Sequence, residues 1–274
     1  MTITGSCNLF KISRQSYYKA QIKQNKSNQD EDEIVQQVIE QRHLLPMLGG
    51  RKLLYKLKEK KTIIIGRDKF FNLLRERGLG IKRKNKYVPT TDSSHPYKKY
   101  NNIIKGMQVN RPDEVYVSDI TYLTTKEGKS YLSLVTDLCS RNIIGYDLSR
   151  SLETSGCMRA LEKAIEGKED LTGIIHHSDR GTQYCSHEYT GKLLSKGMII
   201  SMSGKGNPYE NAVAERINGI LKQEFMLGRM YRTRADLAIA VKQAINNYNE
   251  KRPHLSLGYK TPAEVYNLSR ATPS

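Results

Sequence analysis

The sequence predicts an α/β protein: a mixed five-stranded sheet with helices on both faces, preceded by a basic, all-helical region. Three observations carry this. Hydrophobic spacing changes near Arg111, from helical before it to strand-like after it. Beyond that point the elements run β-β-β-α-β-α-β-α-α, which fits an antiparallel meander extended by parallel strands. The third is charge. The 274 residues carry 45 Lys and Arg against 28 Asp and Glu, a formal +17. Residues 1–110 hold 23 basic and 9 acidic side chains, whereas residues 111–274 hold 22 and 19. The first part therefore suits a polyanion and the second an ordinary globular domain.

In order, residues 1–27 hold a helical segment, "CNLFKISRQSYYKAQ", and Asn25-Lys26-Ser27-Asn28-Gln29 reads as a polar linker. Residues 28–88 form a helix-turn-helix region. In it "DEDEIVQQVIEQR" puts Ile34, Val38 and Ile39 on one face, and Pro46 and Gly49-Gly50 break it. "RKLLYKLKEKK" spaces Leu53, Leu54 and Leu57 helically, and "RDKFFNLLRERGLG" turns Phe70, Phe71, Leu73 and Leu74 inward with Gly78 as its stop. Arg67, Lys69, Asn72 and Arg75 then face outward, with Lys82, Arg83, Lys84 and Lys86 directly behind. With Arg51 and Lys52 they are the candidate DNA contacts, since Lys and Arg neutralise phosphates. Residues 89–110, with Pro89 and Pro96, read as an extended linker.

Residues 111–270 are the core. "EVYVSDITYL", "SYLSLVTDL" and "NIIGYDLS" are strands, the first two joined by the turn "TTKEGK". "SLETSGCMRALEKAIEG" is a helix, "TGIIHHSD" a fourth strand, "SHEYTGKLLSKG" a helix and "MIISMS" a fifth strand. "NPYENAVAERINGILKQEFML" and "TRADLAIAVKQAINNYNE" are closing helices.

Composition excludes several classes. No apolar run approaches ~18 residues, so no membrane span is expected. The start, Met1-Thr2-Ile3-Thr4-Gly5, lacks the plan of a signal peptide, and a cytoplasmic location is the expectation. Cys7, Cys139, Cys157 and Cys185 form no C-x-x-C pair and suit reduced thiols. Cys185 and His187 lie near His176 and His177, but the second half of a zinc pattern is missing, so no zinc is expected.

The chemistry rests on carboxylates. Asp119 sits mid-strand among apolar neighbours, costly for a charge unless it is paired or binds a metal. Asp179 ends the fourth strand in "HHSDRGTQY", where a rigid strand end can aim an acid. On the helix after Asn207, Val213, Ile217, Ile220 and Leu221 define an inner face. Asn211, Glu215, Asn218 and Lys222 line the opposite one, with Glu210 and Glu224 nearer the inner face. Two strand acids and one helix acid suit two hard divalent cations. By spacing alone Asp137 and Asp147, each ending a strand, are rivals.

The gap of 35 residues between Asp179 and Glu215 is a signature of DDE recombinases. "VSDITYLTTKEGKSYLSLVTDLCSRNIIGY", "HSDRGTQY", "NPYENAVAERINGILKQE" and "NYNEKRPHLSLGYKTPAEVY" resemble the integrase-core blocks of bacterial insertion-sequence transposases, the IS-three family in its downstream product. "LGGRKLLYKL" and "LLRERGLGIKRK" resemble the helix-turn-helix region that precedes the core there. The resemblance implies a ribonuclease H-like core with Asp119, Asp179 and Glu215 as catalytic and metal-binding triad. It implies Lys222 as a basic residue acting on DNA, and Tyr116 where the family has Trp. It further implies two Mg2+ ions, for which Mn2+ substitutes, and double-stranded DNA as partner, both element ends and target. A homodimer or larger assembly on DNA, an upstream-frame protein adding DNA binding, and nucleoid association complete the expectation. A catalytically silent DNA-binding regulator or relic and a plain two-metal nuclease are the alternatives.

Overall fold

In the computed structural model the described residues are 2–60, 63, 65–81, 95–204 and 211–271. The chain divides into two compact units, Met1–Leu44 with Gly49–Lys82, and Leu45–Leu48 with Arg83–Ser274. No helix among the described residues is long and apolar enough to cross a membrane.

The first unit is helical: α1 (Ile3–Leu9), α2 (Arg14–Leu44), α3 (Gly50–Glu59) and α4 (Arg67–Glu76). The linker expected at Asn25–Gln29, and the boundary expected between residues 27 and 28, fall inside α2, one helix of 31 residues. Asn and Ser cost a helix only tenths of a kcal/mol each. The Gln24 side chain offsets part of that by donating to Asn28 Oδ1 at 3.0 Å, one turn on. Ile34 and Val38 of α2, Leu53, Leu54 and Leu57 of α3, and Phe70, Leu73 and Leu74 of α4 are buried. Acids of "DEDEIVQQVIEQR" sit mid-helix and tie α2 to α4 and the turn after it: Glu31 pairs with Lys69 at 2.9 Å and Asp32 with Arg77 at 2.6 Å.

The second unit is the expected mixed sheet. β1 (Val115–Thr125), β2 (Gly128–Asp137) and β3 (Ile143–Ser149) form the antiparallel meander. β4 (Ile175–Ser178) and β5 (Ile199–Met202) add in parallel, giving the order β3-β2-β1-β4-β5. Around it lie α5 (Thr154–Ile165), α6 (Thr182–Cys185), α7 (His187–Ser195), α8 (Ala212–Gln223), α9 (Arg234–Lys251) and α10 (Pro262–Ala271), with a 3-10 turn at Leu255–Leu257. The last helix and this turn lie beyond the helices read from the sequence.

Alternation along β1 splits two cores. Tyr116 and Ile120 belong to a cluster with Cys157, Leu161, Tyr189 and Leu193 of α5 and α7, while Val115 and Val117 belong to one with Ala214 and Val213 of α8. α5 lies so close to β3 that a Cβ on Gly145 would stand 2.2 Å from the Ala160 carbonyl oxygen, which only glycine permits. The described part of the expected linker, residues 95–110, has no regular secondary structure but is packed: Tyr97 and Tyr100 rest on the first cluster, Ile104 and Val109 on the second.

β4 is short and pairs only with Val115–Val117 of β1. Beyond Val117 that edge of β1 is covered otherwise. Asn211 Nδ2 donates to the Ser118 carbonyl at 3.3 Å, and Tyr231 N–H donates to the Thr124 carbonyl at 3.0 Å. α8, carrying Glu215, therefore flanks the edge of the strand that carries Asp119.

Candidate active site

The three candidate carboxylates come from three elements. Register brings the first two together: Val117 pairs with His177 in parallel, and two residues further along each chain stand Asp119 and Asp179. Neighbouring strands lie ~4.8 Å apart, so two like charges at that level repel. The Asp119 carboxyl is indeed pushed up to about 7, first by burial, then by Asp179 and Glu215, against hydrogen bonds from the Asn218 side chain and the Ile120 N–H that hold it down. Glu215, in the first turn of α8, is raised by burial and by Asp179. Asp119 thus responds to both other carboxyls, and Glu215 to Asp179, across the gap between sheet and helix.

Fixed hydrogen bonds orient the group. Asn218 Nδ2 donates to Asp119 Oδ2 at 2.8 Å, and Ile120 N–H to Asp119 Oδ1 at 2.9 Å. Gly181 N–H donates to Asp179 Oδ1 at 2.9 Å, closing the turn that follows β4. Among the described residues, no group of three or more His, Cys, Asp and Glu side chains is arranged to hold a metal ion.

The rivals are occupied. Asp137 accepts from Ser140 N–H at 2.7 Å and from its hydroxyl at 2.5 Å, and from Asp113 N–H at 2.8 Å; it closes the β2–β3 turn. Asp147 is held by Arg159 through two bonds, 3.0 and 2.9 Å, and by Ser149 at 2.6 Å. The side chains weighed for zinc have partners of their own. His176 Nε2 meets Ser118 Oγ at 2.8 Å and Tyr189 OH at 2.9 Å, His177 Nδ1 meets Ser201 Oγ at 2.8 Å, and Cys185 Sγ meets Met202 Sδ at 3.6 Å. Burial drives His176 down to about 3, so it is a neutral core histidine. Tyr116, at the position where the resembled family has Trp, is fully buried with its hydroxyl donating to Asp113 at 2.5 Å.

The polar stripe of α8, read from sequence as lying opposite the inner face, is itself partly buried. Asn211 and Asn218 are buried along with Ile217, Ile220 and Leu221. A helical wheel assumes one covering wall, whereas α8 has two, the sheet face and the open edge of β1. Lys222 is half-buried, its ammonium 4.4 Å from the centre of the Tyr122 ring, and burial lowers its pKa while Asp119 raises it. Lys129 lies over the same ring at 5.6 Å. Sequence reasoning missed Tyr122, and the aromatic three residues past Asp119 was the available signal. Glu224, expected near the inner face of α8, pairs with the buried Arg252 at 2.7 Å.

In the first unit Arg51, Arg67, Lys69, Asn72 and Arg75 are exposed and Lys52 half-buried. Arg67 pairs with Asp68 at 2.9 Å, Lys69 with Glu31, and Arg75 donates to Asn72 Oδ1 at 3.3 Å. Lys82, Arg83, Lys84 and Lys86, and Glu210, lie outside the described residues.

Comparison with known proteins agrees with this architecture. The integrase core domain model matches residues 109–208, and a second integrase core domain model matches residues 196–262. The chain is 33% identical over 261 residues to the insertion element IS600 uncharacterized 31 kDa protein of Shigella sonnei, covering 94% of this chain and 96% of that one. It is 33% identical over 200 residues to the transposase InsF for insertion sequence IS3A of Escherichia coli (strain K12), covering 72% and 69%. The cryoEM structure of the simian T-cell lymphotropic virus intasome in complex with PP2A regulatory subunit B56 gamma superposes with a TM-score of 0.51 at 18% identity, over 82% of this chain and 73% of that one, a likeness of fold.

Proposed function

The chain belongs to the IS-three family of DDE transposases, DNA-transposing enzymes with an integrase core, and from that premise we propose that it cuts at the ends of its insertion sequence and joins the freed 3′-OH to a phosphodiester, with Asp119, Asp179 and Glu215 holding two magnesium ions. The observation that carries the reading is the gathering of carboxyls from three elements in a buried place, where burial first, and then Asp179 and Glu215, raise Asp119 to about 7, and burial and then Asp179 raise Glu215. Carboxylates that raise one another's pKa in one buried place suit a cation's donor set. Asn211 Oδ1 and Asn218 Oδ1 support the fit: both are buried acceptors without a partner among the described residues, able to receive hydrogen bonds from a hydrated cation. Magnesium keeps several waters and takes one or two carboxylates, so two ions sharing three carboxylates need no three-ligand cluster.

Bound there, such ions supply charge neutralisation at the phosphate and lower the pKa of water. The residues do the rest. Asn218 fixes the Asp119 carboxylate, the Gly181 N–H fixes that of Asp179, and the parallel pairing of β1 with β4 keeps both level. Lys222 gives the DNA backbone a cation beside the acids. Manganese, which accepts the same oxygen donors, substitutes. Joining two element ends calls for a dimer or larger assembly on double-stranded DNA, and the basic first unit adds affinity through Arg51, Lys52, Arg67, Lys69, Asn72 and Arg75.

Asp119→Asn, Asp179→Asn and Glu215→Gln are each expected to abolish cleavage and joining while leaving DNA binding intact. More than a trace of metal-dependent strand transfer in any one of them shows the triad to be wrong.

A further inference from the structure

One charged strip next to Asp179 has no part in the roles assigned so far. It is built by residues 95–100, read from sequence as linker, and by Arg180. Tyr97 and Tyr100 turn inward and pack on the core, while Lys98 and Lys99 between them are exposed. The segment is therefore anchored and presents its cations from fixed points. Tyr100 gathers two of them: the Lys98 ammonium lies 5.0 Å from its ring centre, and Arg180 Nη2 donates to its carbonyl at 3.5 Å. Lys99 and Arg180 both act electrostatically on the Cys185 thiol, as Asp179 does, which puts the cations and the carboxylate in one neighbourhood.

Two buried polar atoms in the strip lack partners among the described residues. One is Arg180 Nε, a donor on a permanent cation, and the other is His95 Nδ1. His95 Nε2 stands 2.8 Å from the Arg180 carbonyl, an acceptor, so Nε2 carries the proton and donates. A buried guanidinium N–H left unmatched is costly and points to an anionic acceptor supplied from outside. Cations alternating with anchoring aromatics beside a phosphoryl-transfer site fit a nucleic-acid backbone.

We propose that Lys98, Lys99 and Arg180, with His95 holding the Arg180 backbone, form a phosphate-binding track that holds a DNA strand beside Asp179. It rests on the transposase reading and extends it to a surface outside both the carboxylates and the basic helices.

The test is the salt dependence of binding, with full-length protein, a labelled DNA duplex of arbitrary sequence, and EDTA to exclude cleavage. Each lost phosphate contact flattens the slope of log K against log salt by ~0.9. Lys98→Ala/Lys99→Ala, which alters exposed side chains only, is expected to flatten it by ~2, and Arg180→Gln by ~1. Arg180→Lys is expected to restore the slope, since a phosphate needs the charge whereas a purely structural guanidinium would not be replaced. Lys242→Ala, on α9 by the opposite edge of the sheet, is expected to leave it unchanged. With magnesium restored, the DNA concentration for half-maximal cleavage should rise in the double variant and the magnesium midpoint stay put. Unchanged slopes in the double variant and in Arg180→Gln overturn the track and leave the transposase reading standing. A wild-type chain without measurable DNA binding overturns both.

Discussion

Asp119 sits where the ladder between β1 and β4 stops, and its raised pKa has a thermodynamic consequence before any metal binds. Its carboxyl titrates at about 7 in the fold against 3.8 when free, so between those values the native state holds a proton that the unfolded chain has lost. Stability from this group is therefore full below pH ~4 and is lost as pH rises through about 7. In metal-free buffer Asp119→Asn is expected to raise the melting temperature more at pH 8 than at pH 5, because it removes the buried charge that exists only at the higher pH. Asn218 can accommodate the change, since its Oδ1, without a partner among the described residues, can turn to meet the new amide. Equal gains at both pH values would refute the assignment. Lys222 is the other residue whose setting decides its role. Two helical turns from Glu215, ~10 Å along the helix, it is held over Tyr122 rather than stretched into solvent. Its cation repels magnesium and attracts phosphate. Lys222→Ala should shift the DNA titration of strand transfer to higher concentration and leave the magnesium titration alone, whereas Lys222→Arg should keep much of the activity. A shift confined to the magnesium curve would sink the phosphate role.

At the scale of elements, α8 has to be held against the edge of β1, and its far end shows how. Glu224, its C-terminal cap, takes two bonds from Arg252 at 2.8 and 2.7 Å, and its carbonyl accepts from Met47 N–H at 3.0 Å. Arg252 is 2% exposed, so removing it takes two charge-assisted bonds from a largely buried carboxylate. Arg252→Ala should cost about 3–5 kcal/mol by denaturant unfolding, and Arg252→Met/Glu224→Leu should recover much of it, since an apolar pair of similar volume avoids the desolvation of two ions. A loss below ~1 kcal/mol for the single variant would mean that this end of α8 is held otherwise. The sequence block around Arg252 was legible as part of an integrase core, but not as a clamp on α8, because a contact across 28 positions leaves no periodic trace. The strands, their succession along the chain and the antiparallel-then-parallel pairing were legible from alternation and turn residues, whereas the spatial order β3-β2-β1-β4-β5 was not. Asp119 stood out as a carboxylate amid β-branched neighbours and Asp179 as an acid ending a strand, but spacing left Asp137 and Asp147 as rivals and only the resemblance to integrase cores chose between them. The continuity of α2 was not legible, since Asn25–Gln29 has the composition of a loop and local propensity is weak against a long flanking helix. Nor was the buried side of Asn211 and Asn218, because a helical wheel knows nothing of a second wall.

For the whole molecule the governing quantity is the unequal charge, with nearly all the surplus in residues 1–110. Fields from exposed cations act over roughly a Debye length, ~10 Å in moderate salt, so each cluster binds the phosphates that it touches and little beyond. Several candidate cations of the first unit are already partnered: Lys69 by Glu31 and Arg67 by Asp68. Exposed pairs of this kind are worth only ~0–1 kcal/mol, so a phosphate can displace the acid at small cost. The surplus in the first part therefore remains available to DNA despite the ion pairs. Replacing Arg51, Lys52, Arg67, Lys69 and Arg75 by Ala in the full chain is expected to flatten the slope of log K against log salt by up to ~4. The same number of alanines at Arg150, Lys196, Arg232, Lys242 and Lys260, all exposed in the second unit, removes equal formal charge from the molecule. It should change the slope by less than ~1. Net charge is then identical in the two variants, and only its location differs. If affinity followed net charge alone, both sets would flatten the slope equally, and the first unit would lose its claim to be the main DNA-binding surface.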